Sequence, residues 1–187
     1  MTPPPTCTCP PGATLWLTGL PSAGKSTLAE ALAQRLGEDG RRRTEILDGD
    51  EVRRALSAGL GFTREDRDTN VRRIGLVAEL LARNGVLVLV PVIAPYAAAR
   101  KEVRERHLAA GVPYLEVHVA APVEVCSVRD VKGLYARRAA GELTGLTGVD
   151  DPYEEPESPE LRIASDRRTV AESVAALHAL LEQRGLV

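Results

Sequence analysis

The residues best suited to chemistry lie in one short segment near the start of the chain. Residues 19–26 match the pattern G-x-x-x-x-G-K-[ST], and Thr27 follows. In such a loop the backbone N–H groups turn inward around phosphate oxygens, the lysine reaches the β- and γ-phosphates, and the hydroxyl ligates Mg²⁺. The sequence thus predicts a triphosphate site with Lys25 as a catalytic residue and Ser26 as a metal ligand. The predicted binding residues are Gly19, Leu20, Pro21, Ser22, Ala23, Gly24, Lys25, Ser26 and Thr27.

A pair of carboxylates follows the second predicted strand. Asp48, Gly49 and Asp50 come directly after residues 44–47. An Asp-Gly pair is by itself more typical of a turn. At the carboxyl end of a strand in a protein with a phosphate loop, however, such carboxylates can bind Mg²⁺ and accept the proton of an attacking hydroxyl. We therefore predict Asp48 and Asp50 as catalytic residues, with Asp48 also at the metal.

Two classes of phosphate-loop protein lack their signatures in this chain. A GTP switch would carry an Asn-Lys-x-Asp base reader, but the two asparagines, Asn70 and Asn84, precede Val and Gly. A transporter-type ATPase would carry a Leu-Ser-Gly-Gly-Gln segment, which is also missing from the sequence. The remaining class is a small-molecule kinase, whose catalysis consists of positioning and charge neutralisation.

Strands and helices that would position these residues alternate along the chain. Apolar runs predict strands at residues 14–18, 44–47, 86–92, 115–119 and 161–164. Helical periodicity and capping signals predict helices at residues 26–36, 52–56, 74–81, 97–110, 123–128 and 170–181. Thr169 and Glu172 form a capping box before the last helix. This alternation predicts an α/β fold of the P-loop NTPase type, with three layers and a parallel sheet covered by helices on both faces.

Residues 133–159 show no regular pattern and predict a long loop. Loops of this length in compact domains are functional or disordered. Because basic residues from Lys132 onward precede an acidic run at residues 150–160, we expect a lid over an anionic ligand, spanning about residues 130–159. The acidic run itself is expected to be a solvated face.

Composition predicts one domain at residues 13–187 after a disordered tail at residues 1–12. The chain has 187 residues, 44% of them apolar, and a net charge of -2, which argues against a nucleic-acid or membrane partner. Cys7 and Cys9 could hold a metal or a redox bridge, but the Pro-rich surroundings favour a disordered leader. The longest apolar run is too short to span a membrane, and no leader pattern is present. A cytoplasmic location is expected.

The remaining titratable side chains carry no predicted chemistry. His118 alternates outward from its apolar strand neighbours, and His107 and His178 lie on helices without a serine or carboxylate partner in the pattern. We expect all three at the surface. Cys126 is expected in the core.

Several segments resemble the adenylylsulfate kinase family, in order and over about residues 12–160. They read LTGLPSAGKS (17–26), DGDEVR (48–53), LGF (60–62), DR (66–67), NVRRIG (70–75), IAPY (93–96), VC (125–126), RD (129–130), KGLY (132–135), TGVD (147–150) and PYE (152–154). The resemblance implies transfer of the γ-phosphate of MgATP to the 3'-hydroxyl of adenosine 5'-phosphosulfate, giving 3'-phosphoadenosine 5'-phosphosulfate. It also implies a homodimer.

The resemblance also implies residue roles. Asp48 lies at the magnesium and the 3'-hydroxyl with Asp50 beside it, and Arg129 lies near the ATP base. The implied acceptor residues are Asp48, Arg53, Phe62, Arg67, Asn70, Ile93, Lys132 and Leu146. Within this set Arg53, Arg67 and Asn70 hold the phosphosulfate. Phe62 and the region of Leu146 pack on the adenine. Forked guanidinium donors suit such a doubly charged group.

Departures from the family pattern leave alternatives open. The family's Ile-Ser-Pro-Tyr serine is Ala94 here, which excludes a phosphoserine at this position and predicts direct in-line transfer. Leu146 replaces a common phenylalanine, Val131 a usual proline, and Pro91 a smaller residue. The alternatives are a related kinase for another nucleotide or alcohol, and a catalytically silent nucleotide-binding protein.

Overall fold

The computed structural model describes residues 11–38, 40 and 42–187. Strands and helices alternate through these residues. Their order is β1 (Ala13–Thr18), α1 (Lys25–Glu38), β2 (Thr44–Ile46), α2 (Gly49–Ala55), α3 (Arg64–Arg83), β3 (Leu87–Pro91), α4 (Ala97–Ala109), β4 (Tyr114–Ala120), α5 (Val123–Arg129), α6 (Leu134–Ala139), β5 (Leu161–Ala164) and α7 (Val170–Gln183).

The sheet has five parallel strands in the order β2-β3-β1-β4-β5. Every residue of β1, β3 and β4 is buried, because helices cover both faces of the sheet. One apolar cluster joins the sheet to α1 and α7, and a second joins it to α3 and α4. The predicted three-layer α/β fold is confirmed. Among the described residues, none of the helices combines the length and apolarity needed to cross a membrane.

Local signals placed several elements correctly. The capping box is present: the Thr169 side chain accepts from the Glu172 N–H, and the Glu172 carboxylate accepts from the Thr169 N–H at 2.8 Å. Strand β5 has the predicted bounds. Helix α3 starts ten residues before the apolar pattern that predicted it, at Arg64 instead of 74, with Thr63 as its N-cap. This extension places Arg67 and Asn70 on a helix.

The predictions for one segment and for two histidines were wrong. The segment expected to be an unbroken loop contains α6, which starts after Gly133 in the left-handed conformation (φ +64°). His118 and His107 are buried, with exposed fractions of 3% and 0%. The surface prediction for His118 assumed a solvated sheet face, but the sheet is covered on both sides. Cys126 is fully buried, as predicted, and burial raises the pKa of its thiol.

The predicted disordered tail falls almost entirely outside the described residues, as do Cys7 and Cys9. Of that tail, Pro11 and Gly12 are described. Gly12 is buried, and a Cβ there would lie 1.8 Å from the Ala82 carbonyl oxygen. The packed part of the chain therefore includes Gly12.

Candidate active site

The phosphate loop connects the central strand β1 to the N-terminus of α1. Gly19 lies against β4, where an added Cβ would be 2.3 Å from the Val119 carbonyl oxygen. Gly24 has a φ of +100°, which side-chain-bearing residues rarely adopt. Ser22 also has a positive φ, of 62°. Successive turns of this kind point backbone N–H groups toward one centre, which makes an anion-binding concavity at a helix N-terminus.

Lys25 is the first residue of α1, and its side chain folds over the loop. Its Nζ donates to the carbonyl oxygens of Gly19 and Leu20 at 2.9 and 2.7 Å. Burial lowers the pKa of Lys25 to about 7, because the ammonium loses its hydration. A phosphate bound in the loop would favour the charged form of this lysine.

Asp48 and Ser26 meet at the floor of the cleft. The Ser26 hydroxyl donates to Asp48 Oδ2 at 3.1 Å. Asp48 is also the N-cap of α2, since its Oδ1 accepts from the N–H groups of Asp50 and Glu51 at 2.9 and 3.4 Å. The cap fixes the carboxylate beside the phosphate loop. Two hard oxygen ligands thus face the place where phosphates would bind.

The phosphate loop lines a cavity of about 670 Å³. Residues of α2, α3 and the segment after β3 also line it, as do residues of α5 and the start of α7. The predicted site residues on its wall are Pro21, Ser22, Ala23, Gly24, Lys25, Ser26, Thr27, Asp48, Asp50, Arg53, Phe62, Arg67, Asn70, Ile93, Arg129 and Lys132. The structure therefore brings residues that are far apart in sequence around one space.

Three predicted site residues lie outside that wall. Gly19 and Leu20 lie at the start of the phosphate loop, where their carbonyl oxygens accept from Lys25. Leu146 is 5% exposed and belongs to the apolar cluster that joins the sheet to α1 and α7. Leu146 therefore anchors the segment predicted as a lid to the core.

Phe62 and the half-buried Arg53 form an aromatic and cationic pair on the cavity wall. The Arg53 guanidinium lies 4.2 Å from the centre of the Phe62 ring and donates to the carbonyl oxygens of Leu60 and Gly61. Burial lowers the pKa of Arg53, with the Arg67 charge as the second cause. Phe62 is 62% exposed although Arg53 lies over its ring, so a ligand ring could still contact the exposed part.

Arg67 joins α3 to the segment predicted as a lid. Its guanidinium donates to Thr147 Oγ1 at 2.7 Å, to the Gly145 carbonyl at 2.6 Å and to Asp151 Oδ2 at 3.2 Å. Its Nε donates to the Phe62 carbonyl at 2.8 Å. Arg67 therefore fixes both the lid and the loop that carries the exposed aromatic ring.

The acidic run is paired with arginines and backbone N–H groups at several positions, contrary to the expectation of a solvated face. Asp150 pairs with Arg138 at 2.8 Å, and this pairing lowers the pKa of Asp150. Glu160 pairs with Arg104 at 2.6 Å. These contacts form because residues 150–160 pack against basic residues of α3, α4 and α6. The pattern of charge could not show which cations lie nearby.

Lys132 and Arg129 also line the cavity, and each is bound to another part of its wall. Lys132 forms an exposed ion pair with Asp50, which links the lid to the start of α2. Arg129 donates to the Ser165 carbonyl at 2.7 Å, and the Ser165 hydroxyl donates to the Ala23 carbonyl at 2.7 Å. The second chain of contacts ties the phosphate loop to the segment before α7.

Sequence reasoning missed the wall residues contributed by the end of β5 and the start of α7. They are Ser165, Arg168, Thr169, Val170 and Ser173. One available signal was the position of Ser165 directly after the last predicted strand, since ligands of open α/β sheets bind at the carboxyl ends of strands.

A parallel sheet with a phosphate loop after its central strand, a carboxylate beside the loop and an arginine-lined acceptor side defines a P-loop kinase. The family model described as Adenylylsulphate kinase matches residues 11–164. The adenylyl-sulfate kinase of Myxococcus xanthus is 53% identical over 176 residues, covering 94% of each chain. A probable adenylyl-sulfate kinase of Synechocystis is 54% identical over 166 residues, covering 89% of this chain and 91% of that one.

A solved structure agrees in fold. The Mycobacterium tuberculosis APS kinase in complex with AMPPNP and APS superposes with a TM-score of 0.88 at 44% identity, covering 92% of this chain and 99% of that one. The chain therefore belongs to the adenylylsulfate kinase family, and it is an ATP-dependent kinase. The resemblance stated from the sequence is confirmed.

Proposed function

We propose that the protein transfers the γ-phosphate of MgATP to the 3'-hydroxyl of adenosine 5'-phosphosulfate (APS), giving 3'-phosphoadenosine 5'-phosphosulfate. The observation that carries the proposal is the single cavity that the phosphate loop and Asp48 share with Arg53, Arg67 and the start of α7. Two adenine nucleotides bound on opposite sides would meet at that carboxylate. The family assignment supports the same reaction.

The donor nucleotide binds through residues 19–27. Backbone N–H groups of this loop hold the phosphates, and Lys25 exchanges its two carbonyl partners for the β- and γ-phosphate oxygens. Arg129 would lie beside the base, and its hydrogen bond to the Ser165 carbonyl supports that position by fixing the guanidinium. Charge neutralisation by the lysine stabilises the transferred group as it leaves ADP.

Ser26 and Asp48 would hold Mg²⁺. Their oxygens lie 3.1 Å apart beside the phosphate loop, and hard oxygen ligands are those that Mg²⁺ prefers. Within the described residues there is no cluster of three or more histidine, cysteine or carboxylate ligands, so the phosphates would complete the coordination. When bound by these residues, the ion would neutralise charge on the phosphate oxygens and orient them.

Asp48 receives the proton of the 3'-hydroxyl. Its Oδ1 accepts from the N–H groups of α2 and its Oδ2 faces Ser26. Each carboxylate oxygen has two lone pairs, so one carboxylate could reach both the metal and the hydroxyl. Asp50 stands beside it with an exposed carboxylate paired to Lys132. The cap on Asp48 holds the base at a fixed position, which is the main requirement of this type of catalysis.

The acceptor nucleotide binds between α3 and the segment after β3. Arg53, Arg67 and Asn70 supply donors to the phosphosulfate, and Phe62 stacks on the adenine while Ile93 borders it. The Asn70 Oδ1 atom is buried without a hydrogen-bond partner, so a donor from a ligand would satisfy it. Lys132 closes the pocket from the lid, and Leu146 supports the lid from the core.

Transfer is direct, without a phosphoenzyme. Ala94 occupies the cavity wall at the position of the family's serine and has no hydroxyl to accept a phosphate. Rapid-quench experiments with labelled ATP should show label passing to the acceptor with none on the protein. A labelled protein species that forms and decays at the catalytic rate would contradict direct transfer.

An acceptor panel tests the proposed function. Purified protein with MgATP is assayed against APS, AMP and a sugar alcohol, with product identified by phosphorus NMR. We expect phosphorylation of the APS 3'-hydroxyl and a strong preference over AMP. Equal use of AMP would favour a related kinase, and a lack of turnover with every acceptor would favour a silent nucleotide-binding protein. We propose a homodimer as the assembly, which light scattering tests.

A further inference from the structure

Arg100 lies outside the proposed binding residues, yet its guanidinium binds three separate parts of the molecule. It is on the first turn of α4 and is 3% exposed. Nε donates to the Glu116 carboxylate of β4 at 2.7 Å, and Nη1 donates to the Ala94 carbonyl at 2.7 Å. Nη2 donates to the carbonyl of Glu154, at the end of the lid, at 2.6 Å. A fork of this kind fixes its acceptors relative to one another.

The Ala94 carbonyl belongs to a strained turn on the cavity wall. Ala94 has a φ of +43°, a conformation that side-chain-bearing residues seldom adopt. Its neighbours Ile93 and Pro95 line the same wall. Surrounding structure must hold such a turn in place, and the Arg100 donor is its contact from the buried side.

The segment around Glu154 is bound to the same turn by backbone contacts. Its N–H donates to the Pro95 carbonyl at 2.8 Å, and its carboxylate accepts from the Ala97 N–H at 2.7 Å. Nearby, Tyr153 Oη lies 3.0 Å from Thr18 Oγ1, which donates to the Ile93 carbonyl at 2.5 Å. The end of the lid and the acceptor-side wall therefore form one unit, with Arg100 beneath it.

We propose that Arg100 is a positioning residue that sets acceptor affinity by holding the turn at Ala94 and joining it to the end of the lid. Arg100 is not on the cavity wall, so it would act through the turn and not by touching a nucleotide. The inference rests on the proposed function, because it assigns residues 93–95 to the acceptor pocket. Since the hydrogen bonds of Arg100 go to β4, the turn and the lid, and none goes to the phosphate loop, the effect should be confined to the acceptor.

The test separates positioning from stability. Arg100→Met leaves Glu116 buried with one partner fewer, which destabilises the fold. The double variant Arg100→Met/Glu116→Gln removes the buried charge and should recover much of the lost Tm, but the carbonyls of Ala94 and Glu154 still lack their donors. Both variants should raise KM for APS about tenfold, while KM for ATP stays within about twofold. If the single variant does not fold, the double variant carries the test.

Arg104→Met is the matched control. Arg104 is also on α4 and also pairs with Glu116, at 3.3 Å, but its other carboxylate partner is Glu160, and its ion pairs do not reach the turn. Its loss should lower Tm with no change in either KM beyond about twofold. Arg100→Lys, which has one ammonium for three acceptors, should fall between wild type and Arg100→Met in acceptor KM.

The outcomes distinguish this inference from the function on which it rests. A wild-type protein that does not phosphorylate APS would overturn the proposed function. With an active wild type, the inference alone is overturned if acceptor KM in the double variant returns to the wild-type value along with Tm. It is equally overturned if both KM values rise together or if Arg104→Met gives the same acceptor defect.

Discussion

The donor side and the acceptor side of the cleft are built in different ways. On the donor side, Lys25 binds carbonyls six and five residues before it in the chain. On the acceptor side, Arg67 binds groups that lie 80, 78 and 84 residues after it. The lysine contacts of the phosphate loop are thus local, although Gly19 and Ala23 also meet residues far along the chain. The side-chain contacts of Arg67 instead join distant segments.

This difference predicts how each half responds to substitution. A change in the phosphate loop alters a backbone shape that a few neighbouring residues determine. A change in an acceptor-side arginine releases a loop or the lid, because the guanidinium holds protein groups as well as facing the cavity. Donor-side and acceptor-side variants should therefore change different Michaelis constants, and Asp48 between them should affect the chemical step.

The largest effect is expected at the carboxylate where the two sides meet. Asp48→Asn should lower kcat about 10³-fold, because the amide cannot accept the proton. Asparagine caps a helix as well as aspartate does, so Tm should change little. Nucleotide Kd by calorimetry should remain within about threefold of wild type. A kcat loss below tenfold, or a collapse of nucleotide binding, would contradict the role of Asp48.

The second largest effect is expected from a change on the donor side. Gly19→Ala places a Cβ about 2.3 Å from the Val119 carbonyl oxygen, so the loop must shift. We expect kcat/KM for ATP to fall about 100-fold. Gly37→Ala, in α1 with open space around it, is the control and should leave kinetics unchanged. Loss of acceptor affinity without loss of ATP affinity would contradict the local character of the donor side.

An acceptor-side change should have a smaller effect than the donor-side change, and it should affect KM for APS instead of the kinetics with ATP. Arg67→Lys keeps the charge but cannot reproduce the contacts with the lid and the Phe62 carbonyl. We expect KM for APS to rise about tenfold with KM for ATP nearly unchanged. Arg72→Lys, on the same helix in an exposed pair with Glu102, should change neither. Equal increases in both KM values would remove the distinction between the two sides.

The smallest effect is expected from restoring the serine of the family pattern. Ala94→Ser should leave kcat within about twofold, because the proposed transfer passes directly between the nucleotides. Steady-state kinetics and mass spectrometry of the protein check this expectation. A large gain in kcat together with phosphate on the introduced hydroxyl would show that the alanine limits a covalent route.

The same contrast explains what the sequence could and could not predict. Strands, the phosphate loop and the capping box at Thr169 depend on neighbouring residues, so their patterns were sufficient. Helix α6 was missed because it has only six residues, and three of them have charged or aromatic side chains. So short a segment after a glycine shows no apolar periodicity. The position of His118 depended on whether a helix covers the sheet face.

The acceptor-side contacts depend on the packed fold and were not predictable from spacing. The charges of Arg67 and Asp151 are evident in the sequence, but their pairing needs α3 and the lid to meet. The role inferred for Arg100 is similar, since its three acceptors lie on three separate segments. Family resemblance supplied the acceptor residues, whereas the structure supplied the contacts that hold them.

Simultaneous binding tests the central claim most directly. In a calorimetric titration of APS into protein saturated with Mg²⁺ and a non-hydrolysable ATP analogue, the account predicts one APS bound per chain with the analogue retained. Two separate halves of one cleft require this result. Displacement of the analogue by APS, with no ternary complex, would show that both nucleotides compete for the donor side and would contradict the account.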